Sequence, residues 1–190
     1  VDMATFSAHK IHGPKGIGAL FLSKELELEP LIHGGAQERN RRGGTESPEL
    51  AAGFARAATL CAEQMEHLAT LFAQRNHQLR QLLQSIPDLH IITPADEALP
   101  NILNITFADA ERLDGEGLIV GMDLAGVAVS NGSACTSGSQ QPSHVLTAMG
   151  LPAAQARAAV RFSFSRFTSL DDLHAAAAAL LGIVRRQRGH

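Results

Sequence analysis

The stretch SAHKIHGPKGIGAL, residues 7–20, sets Lys10 between His9 and His12 and follows it with Gly13-Pro14-Lys15-Gly16. Upstream, residues 1–7 run from apolar to polar, the pattern of a short buried strand that ends at a site. Glycine and proline then favour a turn, and residues 17–22 read as a second strand. Lys10 is thereby placed at a strand end. A desolvated lysine with cationic neighbours is a nucleophile able to form a Schiff base with a carbonyl group. A solvated lysine in a surface turn is the plain alternative, and spacing alone leaves both open. Gly13 and Gly16 do not complete the G-x-x-x-x-G-K-[ST] pattern of a phosphate loop.

Working outward, the composition is that of a folded globular chain. Of 190 residues, 45% are hydrophobic and 18% charged, with a net charge of -3. That charge gives no reason to expect nucleic acid or an anionic membrane as partner. No apolar run approaches a membrane span, and the first residues lack the basic region of a signal peptide. The chain starts at Val1 rather than at methionine, which reads as truncation. Two cysteines, Cys61 and Cys135, make no disulfide framework, so a cytoplasmic location is expected. The absence of Trp and Tyr argues against a base-stacking platform. The nine histidines show no metal-ligand spacing, so no metal site is expected.

Residues 33–47, HGGAQERNRRGGTES, are too long and too rich in glycine and arginine for an idle connector. Ser47-Pro48 opens a helix, serine as cap and proline at the first helical position. Cys61, Met65, Leu68, Phe72, Leu79, Leu82 and Ile86 recur near the helical period, and Pro87 ends the run. This predicts a spine leading from one domain, residues 1–65, into a second, residues 66–190. In the second part, strands are predicted at residues 90–93, 102–107, 127–130 and 160–165. Helices are predicted at residues 114–124 and 143–149, with a last one capped by Ser169. Such alternation suggests a small α+β layer.

Two further residues stand out. Cys135 lies among small and polar residues in SNGSACTSGSQQ, residues 130–141. A cysteine there is expected to be reachable by solvent and is a candidate nucleophile. Cys61, on the apolar helical stripe, is expected to be core. Arg161 opens RFSFSR, where a strand would place its planar fork for a carboxylate; an edge charge facing solvent is the alternative.

Taken together, these stretches resemble the cysteine desulfurases, the NifS/IscS-like branch of the pyridoxal-phosphate fold-type-I enzymes. SAHKIHGPKGIGAL is similar to the family's cofactor-lysine signature. HGGAQERNRRGGTES is similar to its H-G-G-x-Q-E-x-x-x-R-x-G-T segment. GSACTSGSQQPSHVLTAMG, residues 132–150, resembles its catalytic-cysteine loop, and VRFSFSRFTS, residues 160–169, its carboxylate-binding strand. The four occur in the family's order.

The resemblance implies an α/β fold of the aspartate aminotransferase-like type, with the C-terminal part of the large domain followed by a small α+β domain. It implies pyridoxal 5'-phosphate held by Lys10 as a Schiff base, with Ser7 and His9 at its phosphate. Thr45 would reach the phosphate held by the other subunit of a homodimer. Cys135 would take sulfur from L-cysteine as a persulfide, leaving L-alanine, and Arg161 would pair with the substrate carboxylate. Arg42 matches the family arginine before Gly-Thr. A sulfur acceptor or iron–sulfur scaffold protein would be the partner. Family members are about twice as long, so the chain is expected to be a C-terminal half, inactive alone. A non-catalytic sulfur-carrier or docking module and a selenocysteine lyase are the competing readings.

Overall fold

The computed structural model of the chain describes residues 1–131 and 141–189. They divide into two compact units, Val1–Met65 and Glu66–His190, with the boundary inside one long helix.

In the first unit, β1 (Met3–Ser7) and β2 (Gly18–Leu22) pair antiparallel, with Met3 opposite Leu22 and Ser7 opposite Gly18. One 3-10 turn, Ala8–Ile11, follows β1 and closes at His12 in the left-handed region, φ 65°. Ala8 is its pivot. It is fully buried, its N–H donates to Ile17 O at 3.1 Å, and its carbonyl accepts from Gly13 N–H at 2.8 Å. The strands lie where the sequence places them, but β1 is not buried. Phe6 is 55% and Phe21 52% exposed. A two-stranded ribbon is too small to bury both of its own faces. The arginine-rich segment contains a short turn, α1 (Gln37–Asn40), with left-handed φ at Glu38 and Arg39. Helix α2 (Pro48–Leu83) starts at the predicted cap, with Ser47 Oγ accepting from Leu50 N–H at 3.5 Å.

The second unit is built on a three-stranded antiparallel sheet in the order β3 (Leu89–Ile91), β4 (Ile102–Phe107), β5 (Val160–Ser163). One face carries Leu103, Ile105, Phe107, Val160 and Phe162 into a core shared with three helices. Leu79 and Leu83 come from α2; Leu118 and Met122 from α3 (Gly115–Leu124); Leu180, Ile183 and Val184 from α6 (Leu170–Arg188). Helices α4 (His144–Ala148) and α5 (Ala153–Arg157) form a smaller cluster through Leu146 and Ala156. Helix α6 opens with a capping box, Ser169 with Asp172, and hydrogen bonds from Ser169 hold the Asp172 carboxyl below the usual carboxylate range.

Two expectations change. Cys61 is half-buried and Met65 is 65% exposed, so neither belongs to the core. Periodicity tells which residues share a helix face, not how far the opposing layer extends; in the second unit that layer meets α2 from Phe72 onward. The strand expected at residues 127–130 shrinks to one bridge, Ser130 with Arg161. The stretch leaves α3 through a turn, in which Val127 N–H is held by Met122 O at 2.9 Å instead of by a strand.

Arg188 locks the end of α6. Its side chain is 7% exposed, and Nε donates to Asp109 Oδ2 at 2.9 Å while both Nη groups donate to Pro87 O at 3.1 Å. The guanidinium also lies 5.8 Å from the Phe107 ring centroid. Asp109→Ala leaves that buried cation without its main counter-charge. We expect it to lower the unfolding free energy by about 2–3 kcal/mol, below the range for a fully buried pair because the Pro87 bonds remain. Urea denaturation measures it, and a midpoint within error of the parent would refute the role.

Candidate functional site

The turn that carries Lys10 rests on the start of α2. A Cβ on Gly13 would lie 3.2 Å from the Ala57 Cβ and 2.9 Å from Ala8 O, and one on Gly53 would lie 3.1 Å from the Pro14 ring. Glycine at both places lets turn and helix approach to backbone distance. The approach creates a hollow of about 460 Å³, lined by Thr5, Phe6, Ser7, Lys10, Ile11, Phe54 and Ala58. Its lining residues include one that bears an amine and two that bear hydroxyls, and the others are apolar.

Of the predicted residues, the hollow brings together Ser7 and Lys10. His9 lies between them in sequence and is exposed, off the lining. Lys10 is itself exposed rather than desolvated. Thr45 is exposed and does not line the hollow. Arg42 Nη1 donates to Gly43 O at 3.3 Å. Cys135 lies outside the described residues. Phe54 and Ala58 belong to no motif that the sequence displays, although their i, i+4 spacing on one helix face is the signal that joins them.

Arg161 sits on β5 in the second unit, half-buried. Its N–H donates to Ser130 O at 2.6 Å and its carbonyl accepts from Ser130 N–H at 3.2 Å, which fixes the backbone beneath the side chain. Its Nε is buried and has no hydrogen-bond partner among the described residues. Among the described residues no group of three or more His, Cys, Asp or Glu is placed to hold a metal ion, and no helix is long and apolar enough to cross a membrane.

The hollow suits pyridoxal phosphate. The group offers a carbonyl carbon to an amine, phosphate oxygens to hydroxyls, and a flat ring to Phe6, Ile11 and Phe54. The fold is that of the pyridoxal-phosphate fold-type-I enzymes. The solved structure of a NifS-like protein matches 98% of this chain and 47% of its own, with TM-score 0.86 and 33% identity. Another, SspA in complex with cysteine, matches 89% of this chain and 45% of its own, with TM-score 0.63 and 34% identity. A curated relative, the cysteine desulfurase of Bradyrhizobium diazoefficiens, is 45% identical over 188 residues, 99% of this chain and 47% of the relative. The chain spans about half the length of the curated relatives it matches. Residues 1–175 match the model of the aminotransferase class-V family, and the chain belongs to that family of pyridoxal-phosphate-dependent enzymes.

Proposed function

We propose that the protein is a cysteine desulfurase, which converts L-cysteine to L-alanine and retains the sulfur on Cys135 as a persulfide. The observation that carries this reading is the meeting of Lys10 and Ser7 at one hollow of the size and polarity described, in a chain of this family. The likeness to SspA, a protein solved in complex with cysteine, supports the choice of substrate.

Lys10 would hold the cofactor covalently, Nζ bonding to its carbonyl carbon as the carbonyl oxygen leaves as water, and once released would carry a proton on Nζ. Ser7 would hydrogen-bond the phosphate, and His9, exposed and off the lining, would reach it from outside the hollow. Thr45, also exposed and off the hollow, would serve the phosphate bound by a second copy in a homodimer. Pyridoxal phosphate supplies an electron sink for charge developing on the substrate. Arg161 holds the substrate carboxylate through its guanidinium fork. Cys135 Sγ, as thiolate, bonds to the substrate sulfur as the Cβ–S bond breaks. The electron pair of that bond goes to the carbon skeleton, and a proton completes alanine. No oxidant is consumed: thiol plus cysteine gives persulfide plus alanine. The persulfide then passes to a sulfur-acceptor or iron–sulfur scaffold protein in a reducing, cytoplasmic setting.

The test is direct. Full-length protein loaded with pyridoxal phosphate is given L-cysteine and a thiol reductant, and alanine and sulfide are measured together. We expect equal amounts of the two. Sulfide without alanine, or neither, would defeat the proposal, and turnover confined to selenocysteine would assign the lyase instead.

A further inference from the structure

Asn104 stands directly across from Arg161 in the β4–β5 register. The backbone hydrogen bonds show which kind of pair this is. Asn104 O accepts from Ile92 N–H at 2.8 Å and Asn104 N–H donates to Thr93 Oγ1 at 2.7 Å, so both backbone groups turn away from β5. Arg161 spends both of its own on Ser130, away from β4. The two residues therefore form a non-hydrogen-bonded antiparallel pair, the closer of the two kinds, with side chains on one face of the sheet. That face is opposite the one carrying Leu103, Ile105, Val160 and Phe162 into the core.

Both side chains are left incomplete. Asn104 Oδ1 and Arg161 Nε are each buried without a hydrogen-bond partner among the described residues. An orphan acceptor and an orphan donor on adjacent side chains are complementary. Guanidinium has only donors, so Oδ1 is the one Asn104 atom it can use. The Asn104 backbone is fixed from behind. Arg80 Nη2 donates to Thr93 O at 2.8 Å and Pro94 O at 2.9 Å, and its Nε donates to Asn76 Oδ1 at 2.6 Å. Asn76 in turn donates to the carbonyls of Pro100 and Ile102 at 3.1 Å. The strand ends on either side of Asn104 are thus pinned by α2.

We infer that Asn104 is a positioning residue for substrate binding: when a carboxylate engages the two Nη groups of Arg161, Asn104 Oδ1, which is not bonded to Nε in this structure, takes the Nε–H and holds the fork on the ligand. This rests on the proposed role of Arg161. With Nε engaged, the polar groups that remain on the two side chains, two Nη and the Asn104 amide nitrogen, are all donors. The site then selects ligands that carry a carboxylate.

The experiment measures binding rather than turnover, in the full-length protein loaded with pyridoxal phosphate. Calorimetric titration with L-alanine reports a carboxylate ligand, and cysteamine serves as the matched thiol amine without one. Asn104→Ala is expected to weaken L-alanine roughly tenfold, as for loss of a hydrogen bond to a charged group, and to leave cysteamine unchanged. Arg161→Lys, which has no Nε–H and no fork, is expected to weaken L-alanine as well. In that background Asn104→Ala should add nothing, whereas a merely structural role would add its full effect. If Asn104→Ala fails to fold, Asn104→Asp decides: its carboxylate occupies Arg161, so L-alanine should bind more weakly still. Unchanged L-alanine affinity in the Asn104 variants, with Arg161→Lys impaired, overturns the role of Asn104 alone. Unchanged affinity in Arg161→Lys overturns it together with the role given to Arg161. Additive losses also overturn it. Intact carboxylate selectivity with no release of alanine from cysteine would support the pair and count against the desulfurase reading.

Discussion

Lys10→Ala in the full-length enzyme abolishes covalent attachment of pyridoxal phosphate and, with it, turnover. The expected loss of activity is about a thousandfold or more, because the cofactor carries the difficult electronic step and no other described amine lines the hollow. Lys10 follows Ser7 by a single 3-10 turn whose geometry is fixed by Ala8 and by the close approach of Gly13 to α2. Lys15, the nearest lysine in sequence, is not part of the lining and lacks that support. Borohydride reduction followed by peptide mapping gives the result. Reducible cofactor that remains attached in the Ala variant would rule Lys10 out. Lys10→Arg, which keeps the charge but cannot form the bond, should fail equally, separating covalent attachment from charge alone.

How far the sequence carries one toward this site differs from part to part. The turn at residues 13–16 was legible because its determinants are local, glycine and proline each with its own conformational reason, whereas the 3-10 turn Ala8–Ile11 before it was not read from the sequence. The caps of α2 and α6 were legible for the same cause, since Ser47 and Ser169 act on N–H groups within three residues. Burial was not. β1 reads as apolar, yet Phe6 is exposed because burial needs a second layer, and no local pattern reports whether one is present. Cys61 and Met65 fail likewise: the helical period that ranks them beside Leu79 is blind to what lies opposite. The hollow itself needed Phe54 and Ala58, more than forty residues from Ser7. Asn104 was invisible for another reason. Only the register of β4 against β5, set by pairing fifty-seven residues apart, makes it a neighbour of Arg161.

Cys135→Ser in the full-length enzyme should eliminate the protein-bound persulfide while leaving the cofactor in place. The two functions use different chemistry. A serine hydroxyl is not ionised at neutral pH, whereas a thiol is partly thiolate there and far more nucleophilic toward sulfur. Residues 132–140 lie outside the described part of the chain, so accessibility is inferred from composition and from the described flanks. The neighbours of Cys135, glycine, serine, alanine and threonine, supply almost no apolar surface to bury it. On the near side, Ser130 is held to Arg161 by two backbone bonds and Asn131 to Arg157; on the far side, Ser143 Oγ accepts from Leu146 N–H at 3.5 Å to cap α4. Cys135 is therefore tethered close in sequence to the segment bonded to the arginine assigned to the substrate carboxylate. Mass spectrometry after treatment with L-cysteine should find one added sulfur atom at Cys135 in the parent and none in the Ser variant, with the cofactor absorbance of the two proteins alike. Cys61 is the internal control. It is half-buried on α2, not core, so alkylation should reach it, though more slowly than Cys135. An adduct on Cys61, or one that persists in the Ser variant, would move the sulfur chemistry away from Cys135 and leave Lys10 and Arg161 without a partner nucleophile.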